Sequence, residues 1–187
     1  MASIRLTLPL GLISVVWLLQ GCIGVAAHSS TYAIKASERD ELRPFAESGD
    51  AQAQFELGRS YCCMGPGFDT QVATEWLCRA ARQEHAGAMF ELGRIYAGDV
   101  SRTLAPGQKV MKALRAQRST RHALMWMMLA EQHGNEGAVA KLEAFRKDAA
   151  ENVAREAEVM AAAWQSEACE YREVFPQTSE AGSGAKE

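Results

Sequence analysis

The segment Phe55-Glu56-Leu57-Gly58-Arg59-Ser60-Tyr61 returns 35 residues later as Phe90-Glu91-Leu92-Gly93-Arg94-Ile95-Tyr96, with six of seven positions unchanged. A repeat of this length constrains the fold more than any other feature of the chain. One short helical hairpin cannot bury its apolar face alone, and a stacked copy completes the core. The expected fold is therefore all-α, an α/α solenoid of helical hairpins. Stacks of this kind work mainly by binding other macromolecules.

In the first unit Asp50 follows Gly49 and is placed to cap a helix in which Ala53, Phe55, Leu57, Gly58 and Tyr61 fall at helical spacing. Gly65-Pro66-Gly67 supplies a turn, and Ala73, Trp76, Leu77, Ala80 and Ala81 mark a second helix. A glycine inside a helix costs about 1 kcal/mol against alanine, so Gly58 points to close helix packing. The second unit repeats the pattern with Ala86, Ala88, Phe90, Leu92, Gly93, Tyr96 and Gly98, then Ala123, Trp126, Leu129 and Ala130. Trp76 follows Gly58 by 18 residues but Trp126 follows Gly93 by 33, so this unit carries 15 additional residues within 100–120. Gly58 and Gly93, Tyr61 and Tyr96, and Trp76 and Trp126 occupy equivalent positions and read as the structural residues of the repeat.

After Gly134, Ala138 and Leu142 open a third first helix. The pattern then runs through Ala149, Val153, Ala157, Met160, Ala161 and Trp164 with no turn signal. It reads as one long C-terminal helical cap or as two helices with a soft break. An incomplete unit begins near Ser37, so the repeat domain covers residues 37–175. The small, polar residues 176–187 read as a disordered tail.

Arg5 precedes an uncharged, largely apolar run over residues 6–19, and Gln20-Gly21-Cys22 follows. This is the order of a secretory signal, and the run is too short to span a bilayer. Leu19-Gln20-Gly21-Cys22 resembles the lipobox of bacterial lipoproteins, in which the signal, here residues 1–21, is removed and the cysteine is acylated. An ordinary cleavage site near Ala27 is the alternative. The resemblance implies lipid attachment at Cys22, with residues 22–36 as lipidated cysteine and tether. Two or more acyl chains anchor a protein stably where one does not. Ile23 in place of aspartate resembles the outer-membrane class, so the expected location is the outer membrane, lipid-anchored and facing the periplasm.

The formal net charge of -3 gives no reason to expect nucleic acid. Its distribution is uneven. Residues 100–130 contain no acid but carry Arg102, Lys109, Lys112, Arg115, Arg118 and Arg121, and the last five recur at three-residue steps. A single helix would align them. They are a candidate patch for an anionic partner, such as an acidic polysaccharide, peptidoglycan carboxylates, lipid phosphates or an acidic protein, drawn through a screened field, and otherwise a solvated face. Cys62, Cys63, Cys78 and Cys169 form an even set, and an exported location favours disulfides. Two bridges allow three connectivities that the sequence does not separate; adjacent cysteines seldom bridge each other, and the favoured expectation has one of Cys62 and Cys63 reach Cys78 across the hairpin and the other fix Cys169. No Cys-x-x-Cys pair supports a zinc site.

The stretch Ala-Glu-Ser-Gly-Asp-Ala-x-Ala-x-x-x-Leu-Gly-x-x-Tyr over residues 46–61, followed by Gly65, Ala73, Trp76, Ala80 and Ala81, resembles the Sel1-like repeat family, which is related to tetratricopeptide repeats. The resemblance covers about half of the mature chain and is weak beyond Gly134. Two departures stand out: Glu84 takes the place of a usual glycine, and the usual turn sequence is missing from both units. The resemblance implies a scaffold or adaptor that binds another envelope protein. Cysteine-rich members imply a β-lactam-binding or hydrolysing alternative, and a peptidoglycan or acidic polysaccharide binder is a third reading.

No catalytic constellation, metal site or cofactor is expected. Ser183-Gly184-Ala185-Lys186 fits a Ser-x-x-Lys pattern, but that pattern acts on a helix inside a large α/β domain with companion motifs. His85, His122 and His133 lack the spacing of a metalloenzyme and read as surface or helix-end residues, while His28 lies in the tether. Met89, Met111, Met125, Met127 and Met128 read as packing, with an adaptable partner groove around Trp126 as the alternative.

Overall fold

The computed structural model describes residues 36–63, 69–99 and 117–176, and the regular structure among them is helical throughout. Two contact units divide the chain, Met1–Asp40 and Glu41–Glu187. In the first, residues 36–40 are helical. They begin α1, which covers residues 36–47. The second unit continues with α2 (Ala51–Tyr61), α3 (Thr70–Ala81), α4 (Ala86–Ala97), α5 (Thr120–Gln132), α6 (Glu136–Asp148) and α7 (Glu151–Ala162). A 3-10 turn, Trp164–Ser166, and the short α8 (Tyr171–Val174) close it.

Helices α2, α4 and α6 start from the same backbone device. Gly49, Glu84 and Gly134 have φ of 102°, 63° and 86°, the left-handed conformation that reverses the chain after a helix. The next residue then donates its N–H back to the preceding helix: Asp50 to Phe45 O at 3.1 Å, His85 to Ala80 O at 3.2 Å and Asn135 to Ala130 O at 2.8 Å. Asp50 accepts the Ala53 N–H at 2.6 Å, and His85 Nδ1 accepts the Ala88 N–H at 3.1 Å. A histidine thus does the capping work of an aspartate one repeat earlier.

The pair α2–α3 packs as α4–α5 does. Each hairpin is closed where its helices meet, by Asp69 N–H to Tyr61 O and Ser119 N–H to Tyr96 O, both 3.0 Å. A Cβ on Gly58 would lie 2.8 Å from Leu77 Cγ, and one on Gly93 would lie 2.9 Å from Met127 Cε. The two glycines therefore serve the same purpose, letting the facing helix approach. Around these contacts Tyr96, Leu92, Met89, Leu124, Met125, Trp126 and Met127 are fully buried, each worth about 1.5–3 kcal/mol of transfer from water. The described methionines of the series, Met89, Met125, Met127 and Met128, are core residues, so the alternative of a groove at Trp126 is not realised; Met111 lies outside the described residues. Trp76 is buried, but Tyr61 is only half-buried and its hydroxyl accepts from Arg43 Nη2 at 2.9 Å. The equivalence of Tyr61 with Tyr96 holds in position and not in burial: Tyr96 is fully buried and packs against His122 and Phe175.

Between residues 134 and 164 the chain takes the two-helix alternative. Ala149 and Ala150 are extended, with ψ of 144° and 146°, although both residues favour a helix. Packing overrides propensity here, since the break lets α6 and α7 both lie against α5 with Ala138, Leu142 and Ala157 buried.

The cysteines pair differently from the expected arrangement. Cys78 bridges Cys169, with Cα atoms 5.9 Å apart, and Cys62 is paired with Cys63. The reason is geometric. Cys62 and Cys63 sit at the closed end of the hairpin beside the start of α3, whereas Cys78 is eight residues up that helix, about 12 Å at 1.5 Å per residue. Cys169 instead belongs to a segment that docks on α3, where Tyr171 N–H donates to Thr74 Oγ1 at 3.0 Å and Arg82 Nη1 donates to Gln165 O at 3.0 Å. That segment gave no periodic signal in the sequence.

Candidate functional site

Two surfaces can be assembled from the described residues. The first is the side on which α2, α4 and α6 adjoin. Phe55 of α2 lies against Gly87, with its ring Cζ 3.0 Å from where a Cβ would be, and Phe90 of α4 lies against Gly137 at 3.6 Å. Phe55 also stacks on His85 with ring centroids 4.4 Å apart, and His85 Nε2 is 2.9 Å from Gln52 Oε1. The same step recurs from one first helix to the next because the glycine positions 87 and 137 leave room for the preceding phenylalanine. Polar groups line this side: Glu56 pairs with Arg59 at 3.4 Å, and Glu91 with Arg94 at 2.8 Å one repeat later. Asp99 then links Arg94 to Lys141 of α6.

The second surface is a groove of about 760 Å³. Its margins come from the first turn of α5 (Arg121, His122) and from α7 (Asn152, Arg155, Glu156, Val159, Met160). The segment after α7 closes it with Glu167, Ala168, Glu173 and Val174. Arg121 and Glu156 are 3.7 Å apart across two helices and both more than half exposed. Ser119, which precedes α5, does not cap that helix with its side chain. Its Oγ instead meets His122 Nδ1 at 2.7 Å, and His122 packs against the Tyr96 ring. Burial, reinforced by the Arg121 charge, pushes the His122 imidazolium down to about 4, so this ring is neutral at pH 7. Glu173 Oε2 accepts the N–H groups of Glu170 at 2.9 Å and Cys169 at 3.0 Å. Those two bonds hold its carboxyl below the usual carboxylate range. Tyr96 donates its hydroxyl to Cys169 O, and burial together with Glu173 and Glu170 raises its phenol.

The expected site residues separate under this geometry. Arg118 precedes α5 outside any regular structure, and Arg121 lies on the helix. Helical spacing therefore does not carry the basic series through both, because the helix starts only at Thr120. Lys109, Lys112 and Arg115 lie outside the described residues, as do Cys22, the leader, the turn at 65–67 and the tail beyond Pro176. His85 and His133 take helix-end positions; His122 is also at a helix end but is buried rather than on the surface. Among the described residues no three His, Cys, Asp or Glu side chains gather so that they could hold a metal ion, and no helix is long and apolar enough to cross a membrane. The groove was not legible in sequence, since Arg155 among Glu151, Glu156 and Glu158 on α7 reads as an ordinary solvated face. Comparison with protein families, with characterised proteins and with solved structures finds no match.

Proposed function

We propose that this chain is a Sel1-like α/α solenoid of two full hairpin units with helical caps, the second unit enlarged by a basic insertion. In this reading Cys22 carries the lipid that holds the protein on the outer membrane, facing the periplasm. The protein serves there as a scaffold or adaptor that docks another envelope protein on the side where α2, α4 and α6 adjoin. The observation that carries the reading is the recurrence of one contact: Phe55 against Gly87 and Phe90 against Gly137. First helices that stack by a repeated step present a continuous row of side chains, which is how solenoid proteins bind extended partners. Gln52 and Arg59 stand exposed on that row.

The test is site-specific photo-crosslinking in intact cells. A crosslinker at Gln52 or Arg59 is expected to capture one envelope protein that a crosslinker at Glu158, on α7, does not. Equal capture from both faces, or none from the first, overturns the docking surface. Replacing Cys22 with serine is expected to move the protein from the membrane to the soluble fraction, and unchanged fractionation overturns the anchor.

A further inference from the structure

The groove between α5, α7 and the segment that runs from Glu167 through α8 shares no residue with α2, α4 or α6, so it stands apart from the proposed docking side. Its charges are mixed in a particular way. The two helices contribute the guanidinium groups of Arg121 and Arg155, with the amide of Asn152 beside them; the following segment contributes the carboxylates of Glu167 and Glu173. The apolar Met160 and Val174 line the same groove. Asn152 and Glu167 make no side-chain hydrogen bond or ion pair among the described residues, and Arg155 meets only Glu151, at 3.9 Å, with both side chains largely exposed. These groups hold nothing together.

We infer that the groove binds a short zwitterionic peptide, its carboxylate toward Arg155 and Arg121, its ammonium toward Glu167 and Glu173, and an apolar side chain on Met160 and Val174. The volume, about 760 Å³, falls within the range of small-ligand sites. Charge decides the class. A purely anionic ligand meets Glu156, Glu167 and Glu173, and a purely cationic one meets two guanidinium groups, whereas a molecule with separated ends satisfies both sets. Glu156 already sits 3.7 Å from Arg121, which leaves Arg155 as the group a ligand carboxylate engages at least cost. Glu173 is pre-positioned by its two backbone hydrogen bonds and loses little freedom on binding.

The experiment is calorimetric titration of the full oxidised protein with the dipeptide alanyl-leucine, its N-acetyl form and its C-terminal amide. The free dipeptide is expected to saturate below about 1 mM, a binding free energy of about 4 kcal/mol. Each blocked form is expected to bind about tenfold more weakly. Arg155→Gln, at an exposed position, and Glu167→Gln, at a half-buried one whose side chain holds no hydrogen bond among the described residues, are expected to weaken the free dipeptide by a similar factor without moving the melting temperature. No saturable heat from the free dipeptide overturns the inference. So does equal affinity of the blocked forms, or unchanged affinity in both variants. Any of these results leaves the scaffold reading untouched, since that rests on crosslinking at Gln52 and Arg59.

Discussion

Gly58 and Leu77 meet so closely that a single added methyl group would sit 2.8 Å from Leu77 Cγ and 3.1 Å from the Ala73 carbonyl oxygen. Neither neighbour is the free end of a flexible chain. At Gly93 the same methyl would meet Met127 Cε at 2.9 Å and Cγ at 3.0 Å, and a methionine can turn aside. Gly58→Ala is therefore expected to cost about 1–3 kcal/mol from overpacking, less the roughly 1 kcal/mol gained in helix propensity. Gly93→Ala is expected to be close to neutral. Urea denaturation of the two variants checks the ordering, and a larger loss at Gly93 contradicts it.

Glu84 adopts the left-handed backbone that Gly49 and Gly134 supply at equivalent points of the chain. For a residue with a Cβ this costs about 1–2 kcal/mol, and a glycine there returns about 0.5–1 kcal/mol through its freer unfolded state. Glu84→Gly is expected to raise stability by about 0.5–1 kcal/mol, and Gly134→Ala to lower it by about 1 kcal/mol. A melting temperature that falls for Glu84→Gly would show that the side chain has a use in place.

The Cys78–Cys169 bridge spans 91 residues of sequence. Closing a loop of that size restricts the unfolded chain by about 4.6 kcal/mol on the chain-entropy account. The double variant Cys78→Ser, Cys169→Ser is expected to lose about 2–5 kcal/mol in thermal or urea unfolding. Peptide mapping without reductant is expected to recover residues 78 and 169 as one linked pair, and a Cys78 peptide linked to Cys62 or Cys63 would contradict the pairing.

His122 has its imidazolium depressed in the folded state from 6.5 to about 4, so between those values the unfolded chain binds a proton that the folded chain refuses. Stability is then fully present above about pH 6.5 and declines as pH falls toward 4, by about 3 kcal/mol at most. Glu173, whose carboxyl is also lowered, contributes stability that is present above its unfolded value of 4.5 and is lost as pH falls further. His122→Asn is expected to flatten the loss between pH 6.5 and 4 while leaving the steeper loss below it. Parallel profiles for the two proteins would remove His122 as the cause.

The hairpins were legible because their cause is local. Alanine and aromatic spacing placed α2, α3, α4 and α5 close to where they lie, and Asp50 announced its cap, whereas Glu84 stood out only as a departure from a usual glycine and not as the backbone reversal it makes. The remainder depended on contacts distant in sequence. Ala149 and Ala150 break a helix only because α5 holds both neighbouring helices. Cys169 finds Cys78 through a docking that the stretch 164–175 gives no periodic hint of, and His122 looked like a surface residue because nothing near it in sequence supplies Tyr96. The groove is the extreme case, since its residues come from three elements and each taken alone is unremarkable.

A row of hairpins that touch only their neighbours could come apart one at a time, starting from whichever end is looser. Fastening Cys169, Tyr171 and Gln165 onto α3 forbids that sequence of events. The final stretch of the polypeptide must be in hand before the opening hairpin is secured, so a chain interrupted short of residue 169 emerges as an unfinished circuit rather than a shorter working version.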